Sequence, residues 1–188
     1  MSPPPPAVRL GFVGCGNVLS AYLSSLERLR RQGLAEATVF CGRERQRVQT
    51  QAAWPGADFL TDYERLLARE DVDVVVILTP MAEHAAMARA ALTAGRHVLV
   101  EKPLATNLAD AQALIQLAKR SGRYLVCAPF TVLSPTFQTI GHRLQRGDIG
   151  RVVSARGRYG WAGPDWTEWF YRPGGALCLT WGFISSLL

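Results

Sequence analysis

The sequence predicts a doubly wound α/β domain built on a parallel sheet, followed near residue 130 by the start of a second unit. Three observations carry this reading. Short apolar runs alternate with segments of helical periodicity up to Pro129, and parallel strands need crossover connections of that kind. The run Val72 to Leu78 (VDVVVIL) is β-branched with little alternation, as suits a strand covered on both faces in the middle of a sheet. After Pro129 the alternation of strands and helices stops.

Taken in order, Val8 to Val13 is a strand stopped by glycines, and Val18 to Arg31 is a helix with Leu19, Tyr22, Leu23, Leu26 and Leu29 at helical spacing. A second strand fits Ala37 to Cys41, and a polar helix from Glu44 to Ala53 stops near Pro55. Asp62 to Arg69 is a short helix with Thr61 as its expected cap. Beyond the central strand, Glu83 to Ala94 is an alanine-rich helix closed by Gly95, and Val98 to Val100 is a brief strand. Leu108 to Ser121 is a helix closed by Gly122, leading to a strand at Tyr124 to Ala128. A helix from Pro135 to Arg146 and a half-exposed strand from Gly150 to Tyr159 open the second unit, with the boundary between Ala128 and Pro135.

Composition narrows the function classes. With 48% apolar residues in 188, the chain can bury a substantial core. Its longest apolar runs are strand-sized, well short of the roughly 20 residues of a membrane-spanning helix, so no membrane partner is expected. Met1 to Ala7 (MSPPPPA) lacks the basic and apolar regions of a secretion signal; a disordered leader over 1–7 and a cytoplasmic address are expected. Cys15, Cys41, Cys127 and Cys178 lie far apart with no histidine at ligand spacing, so no metal site is expected. The net charge of +6 comes from scattered arginines, with one cluster at Arg43, Arg45 and Arg47. No reading helix or aromatic-basic alternation accompanies it, so no nucleic-acid partner is expected.

Gly14-Cys15-Gly16, followed by Asn17 and Val18, sits where the first strand hands over to the first helix. A dinucleotide's pyrophosphate rests against backbone N–H groups at such a turn, and glycine lets the phosphate oxygens approach. The third position of G-x-G-x-x-G is Leu19, so the motif is degraded and a purely structural turn stays open. At the end of the second strand, where an acid usually holds the adenosine ribose, the chain reads Cys41-Gly42-Arg43. A guanidinium there can pair with a 2′-phosphate, which favours NADP over NAD; the other reading is a solvated arginine at a helix start.

Three further stretches belong together: Thr79-Pro80 with His84, Ala94 to Val100 (AGRHVLV), and Glu101-Lys102-Pro103. Their order and spacing, after a glycine turn, resemble the Gfo/Idh/MocA family of oxidoreductases, over about Val8 to Leu177. The resemblance implies an NAD(P)-binding Rossmann domain over 8–130 and an incomplete α+β substrate domain beginning in 131–188. It implies NADP or NAD as cofactor and hydride transfer to or from a sugar, cyclitol or related polyol. Lys102 then faces the substrate beside the nicotinamide, and Glu101 helps to position the nicotinamide ribose. The physical reading agrees: Thr79 and Pro80 follow the central strand at its carboxyl end, where ligands of open α/β sheets bind, and an ammonium can stabilise charge developing on a substrate oxygen. His84 stands on the substrate side as a second candidate catalytic group, or serves in capping and packing. His97 is expected to be structural.

Gly147 to Val152 (GDIGRV) and Trp169 to Leu177 (WFYRPGGAL) resemble the family's entry into its second domain, with Arg172 as a substrate contact. Trp161, Trp166 and Trp169 suit either a sugar-binding face or apolar packing. In the resemblance an Asp, a Gly and then a His or Tyr follow G-G-x-L, roughly D-x-G-x-H; here Leu179 to Phe183 (LTWGF) holds no acid or imidazole. With CTG for Leu179, ACC for Thr180, GGT for Gly182 and TTC for Phe183, reading one base earlier gives Asp-Leu-Gly-Phe-His, so a frame shift near Leu177 to Cys178 is expected. Weak or absent turnover is expected of the chain as it stands, and family-like homo-oligomers would assemble through the second domain's sheet. A non-catalytic nucleotide-binding regulatory or sensor module on the same fold is the alternative.

Overall fold

The computed structural model describes residues 5–128 and 132–156. The chain divides into two compact units, Met1–Cys127 and Ala128–Leu188. In the first unit, β1 (Val8–Val13), α1 (Asn17–Arg31), β2 (Ala35–Cys41), a 3₁₀ turn (Glu44–Gln46), α2 (Arg47–Ala53), β3 (Asp58–Leu60) and α3 (Tyr63–Leu67) form the first half. The second half runs β4 (Val74–Ile77), α4 (Met81–Thr93), β5 (His97–Val100), α5 (Leu108–Ser121) and β6 (Leu125–Cys127). The six strands form one sheet in the order β3-β2-β1-β4-β5-β6, and every pairing is parallel.

Side chains alternating along the strands feed two separate cores. On one face Val13, Val39, Val75, Ile77, Val98 and Val100 pack with Leu66 and Leu67 of α3, Ala88, Ala91 and Leu92 of α4, and Leu114 and Ala118 of α5. On the other, Phe12, Phe40, Phe59, Val76 and Leu78 pack with Leu19 and Leu26 of α1 and with Trp54 after α2. Phe12 and Phe40 stack across neighbouring strands at 5.2 Å between ring centroids. Helices on both faces are what a near-continuous apolar β4 requires.

Four details differ from the sequence expectation. Strand β3 was not expected: Asp58–Leu60 is only three residues long at the sheet edge, too short for periodicity to show, yet Phe59 is buried. The cap of α3 is Asp62 and not Thr61, because the Asp62 carboxylate accepts the N–H groups of Glu64 and Arg65. The polar helix after β2 begins as a 3₁₀ turn. Of the strand expected over Gly150 to Tyr159, residues 150–156 carry none and 157–159 lie outside the described residues; alternation marks which side chains can face a core, but the ladder needs a partner strand.

Within the second unit, α6 (Pro135–Gln145) starts at Ser134, whose hydroxyl accepts the Phe137 N–H, with proline in the first turn. Gly147 and Gly150, with φ of +72° and +68°, turn the chain out of it. Arg172, the three tryptophans at 161, 166 and 169, and the segment after Leu177 lie outside the described residues. Among the described residues, no helix is long and apolar enough to cross a membrane.

Candidate active site

In an open sheet of this order the connections leave β1 and β4 in opposite directions, which opens a crevice at their carboxyl ends. The sequence candidates of the first unit gather along that edge. Gly14, Cys15 and Gly16 follow β1, Gly42 and Arg43 follow β2, Thr79 and Pro80 follow β4, and Glu101 and Lys102 follow β5.

The glycine turn is shaped by contact on one side and space on the other. Gly14 has φ +96°, and a Cβ there would lie 2.6 Å from the Leu78 carbonyl carbon and 2.7 Å from the Thr79 nitrogen. No side chain fits between the turn and the end of β4. At Gly16 a Cβ would meet nothing within 4 Å, so this backbone faces open space. Gly16 is also the N-cap of α1, whose first turn has no side-chain cap and no acidic residue. Uncapped N–H groups at an exposed helix start, with no carboxylate to repel an anion, fit a pyrophosphate. Asn17 and Val18 are exposed beside them. Leu19, which replaces the third glycine, is 5% exposed and packs under the sheet beside Phe12 and Leu26.

Cys15 contributes its backbone. Its thiol turns inward, 3.5 Å from the Cys41 carbonyl oxygen, and burial pushes it up to about 11. It is therefore a neutral packing group at ordinary pH. Its carbonyl accepts a 2.6 Å hydrogen bond from the Gln46 side-chain amide, while the Gln46 carbonyl accepts the Arg43 N–H at 2.9 Å. Gln46 thus ties the turn after β1 to the loop after β2. In that loop Glu44 pairs with Arg47 at 2.6 Å, and the guanidiniums of the exposed Arg43 and Arg45 have no ion-pair partner among the described residues.

The Glu101-Lys102-Pro103 loop is held from both sides. The Tyr22 hydroxyl of α1 donates to Glu101 Oε1 at 2.7 Å, and Glu101 Oε2 accepts the Lys102 N–H at 3.0 Å. Burial, and then the Glu101 carboxylate, push the Tyr22 hydroxyl well above its ordinary range, so it stays a donor. On the other side His84, in the first turn of α4, is 1% exposed. Its Nδ1 lies 2.7 Å from the Pro103 carbonyl oxygen and its Nε2 2.8 Å from that of Thr79. Both neighbours are acceptors and a neutral imidazole carries one N–H, so the tautomer decides which carbonyl receives it; the ring lies between the end of β4 and the loop after β5 and presents neither nitrogen to solvent. Lys102 itself is exposed, with no ion-pair partner among the described residues.

The opposite edge of the sheet differs in kind. There Arg9 pairs with Asp73 at 2.7 Å, and Arg69 with Asp58 and Asp71 at 2.7 Å each. Arg96 donates to the carbonyls of Leu67, Arg69 and Val72. His97, the expected structural histidine, accepts the Tyr124 N–H at Nδ1. Arg9, Arg69 and Arg96 are thus engaged within the fold, while Arg43 and Lys102, after β2 and β5, have no ion-pair partner among the described residues.

Gln46 and Tyr22 were not anticipated as site residues. Their partners lie 31 and 79 positions away, and neither side chain belongs to a motif. Tyr22 did stand on the apolar face of its helix, a signal for burial that carried nothing about its hydroxyl.

A 3-reductase of dTDP-3,4-didehydro-2,6-dideoxy-α-D-glucose from Actinomadura kijaniata is 32% identical over 147 residues, which are 78% of this chain and 44% of that protein. The WlbA dehydrogenase of Bordetella pertussis, solved with NADH and UDP-GlcNAcA, superposes with a TM-score of 0.70 at 26% identity, over 77% of this chain and 44% of its own. A 3-ketoreductase from A. kijaniata, solved with NADP and TDP-benzene, gives 0.67 at 30% identity, over 75% and 43%. The chain therefore spans less than half the length of the relatives it matches. The family model for Gfo/Idh/MocA proteins, an oxidoreductase family with an NAD-binding Rossmann fold, matches residues 8–128. With most of its described length inside that match and the family's motif residues along one sheet edge, the chain belongs to the Gfo/Idh/MocA oxidoreductases.

Proposed function

We propose that this chain binds NADP or NAD across the carboxyl edge of its sheet, with preference for NADP, as the cofactor half of a sugar- or polyol-transforming oxidoreductase. The observation that carries the reading is the uncapped, space-facing glycine turn at α1, flanked by an unpaired Arg43 on one side and Lys102 on the other. The N–H groups of residues 15–18 would hold the pyrophosphate. Gly42 and Arg43 meet the adenosine ribose and its 2′-phosphate, where a planar guanidinium binds bidentately. Thr79, Pro80 and Glu101 line the nicotinamide end.

A nicotinamide held there would supply the acceptor or donor for a hydride exchanged with a carbon whose oxygen is a hydroxyl in one state and a carbonyl in the other. The Lys102 ammonium donates a hydrogen bond to that oxygen and stabilises the charge developing on it. His84 holds the Pro103 carbonyl beside that lysine. Relatives named as sugar-nucleotide reductases support a sugar or polyol as substrate class.

Arg43→Ala tests the cofactor reading. NADPH affinity should fall about tenfold or more while NADH affinity moves less than about twofold; equal loss for both cofactors would contradict the assignment. The second reading, a nucleotide-binding sensor, is favoured by the absence of an acid or imidazole in Leu179 to Phe183. Lys102→Ala separates the two: an enzyme loses hydride-transfer rate with its cofactor affinity kept, and a sensor has no rate to lose.

A further inference from the structure

We propose that Tyr22 is the positioning residue of the nicotinamide half of the site, fixing the Glu101 carboxylate so that the dinucleotide is gripped at both ends of one helix segment. The proposal rests on the reading above, in which Glu101 meets the nicotinamide ribose. Tyr22 lies five residues beyond Asn17, the first residue of α1, so the helix that offers its N-terminus to the pyrophosphate also reaches across to the loop after β5.

The geometry is specific. The Tyr22 hydroxyl donates to Glu101 Oε1 at 2.7 Å, and the Lys102 N–H donates to Oε2 at 3.0 Å. Each carboxylate oxygen receives one donor and keeps acceptor capacity for a second, which is what a ribose hydroxyl requires. The phenol ring is anchored by half-burial against the core that holds Leu19 and Leu26. A glutamate otherwise free to sample many rotamers is thereby presented in one orientation, and ordering cost is removed from binding. Because Oε2 also holds the Lys102 N–H, the same contact fixes the backbone from which the lysine extends.

Isothermal titration of the whole chain separates positioning from simple packing. Two ligands are compared: NADPH, and adenosine 2′-phosphate 5′-diphosphate, which is NADPH without its nicotinamide riboside. Tyr22→Phe keeps the ring and removes the hydroxyl. NADPH affinity should drop about three- to tenfold, with affinity for the fragment unchanged within about twofold. Glu101→Gln leaves the α1 core untouched and should weaken NADPH selectively as well. The double variant should be no weaker than the worse single one, since both remove one coupled contact. Equal weakening of NADPH and fragment by Tyr22→Phe would make the residue structural and overturn the proposal, as would unchanged NADPH affinity or additive effects in the double variant. If the unaltered chain binds the fragment and NADPH equally well, the reading of Glu101 itself fails and the proposal falls with it.

Discussion

Gly14 is the residue at which the fold and the proposed pyrophosphate site make the same demand. Its positive φ and the 2.6 Å approach to the end of β4 leave no room for a methyl group. Gly14→Ala should destabilise the domain by about 1–3 kcal/mol through backbone strain alone, with further loss from displacing β4. Chemical denaturation measures this, and a variant as stable as the parent would mean that the turn can relax. Lys102 and Glu101 stood out as candidates at this scale because E-K-P follows a strand at a fixed spacing from T-P-x-x-x-H. Tyr22 and Gln46 did not, because a hydrogen bond between residues far apart in the chain leaves no trace in either local pattern. His84 was a candidate open in role from the sequence, and the structure adds two carbonyl neighbours and full burial.

At the scale of elements, legibility followed length. Helix α5 runs over Leu108–Ser121 as expected, because Asn107 caps its start, accepting the Asp110 N–H, and Gly122 closes it at φ +64°. The edge strand β3 escaped notice because three residues hold no period. Its existence depends on β2 already being in place to pair with it. The central strand β4 was plain from its β-branched run, and its burial from both faces follows from the two cores it feeds. Leu114, fully buried on α5, is the side chain whose loss tests that packing: Leu114→Ala should cost about 2–5 kcal/mol, read from the denaturation midpoint. Gly122→Ala should cost about 1–2 kcal/mol, since an L-residue resists the left-handed conformation. Its surroundings are open, so no clash adds to that figure.

For the whole molecule, the ion pairs at the amino edge of the sheet link stability to pH. The Arg9 guanidinium holds Asp73 below the ordinary carboxylate range, and Arg69 does the same for Asp71. Because both values are depressed on folding, their contribution is complete above the unfolded carboxyl range near pH 4 (about 3.9) and is lost as pH falls through the lower folded values. Arg9 and Asp73 are 40% and 37% exposed, so solvent screening keeps the effect small. Asp73→Asn should flatten the acid limb of stability against pH without altering cofactor affinity, since the pair sits on the edge away from the glycine turn. Arg43 and Lys102 carry no such duty among the described residues. The central claim is that NADPH occupies the carboxyl edge through residues of this chain. Amide chemical shifts recorded during an NADPH titration test it most directly: Gly16, Asn17, Val18, Arg43, Thr79 and Lys102 should move together, while Arg9, Asp73 and Arg96 stay in place. Shifts confined to the amino edge, or a titration in which nothing moves while the fold is intact, would contradict it.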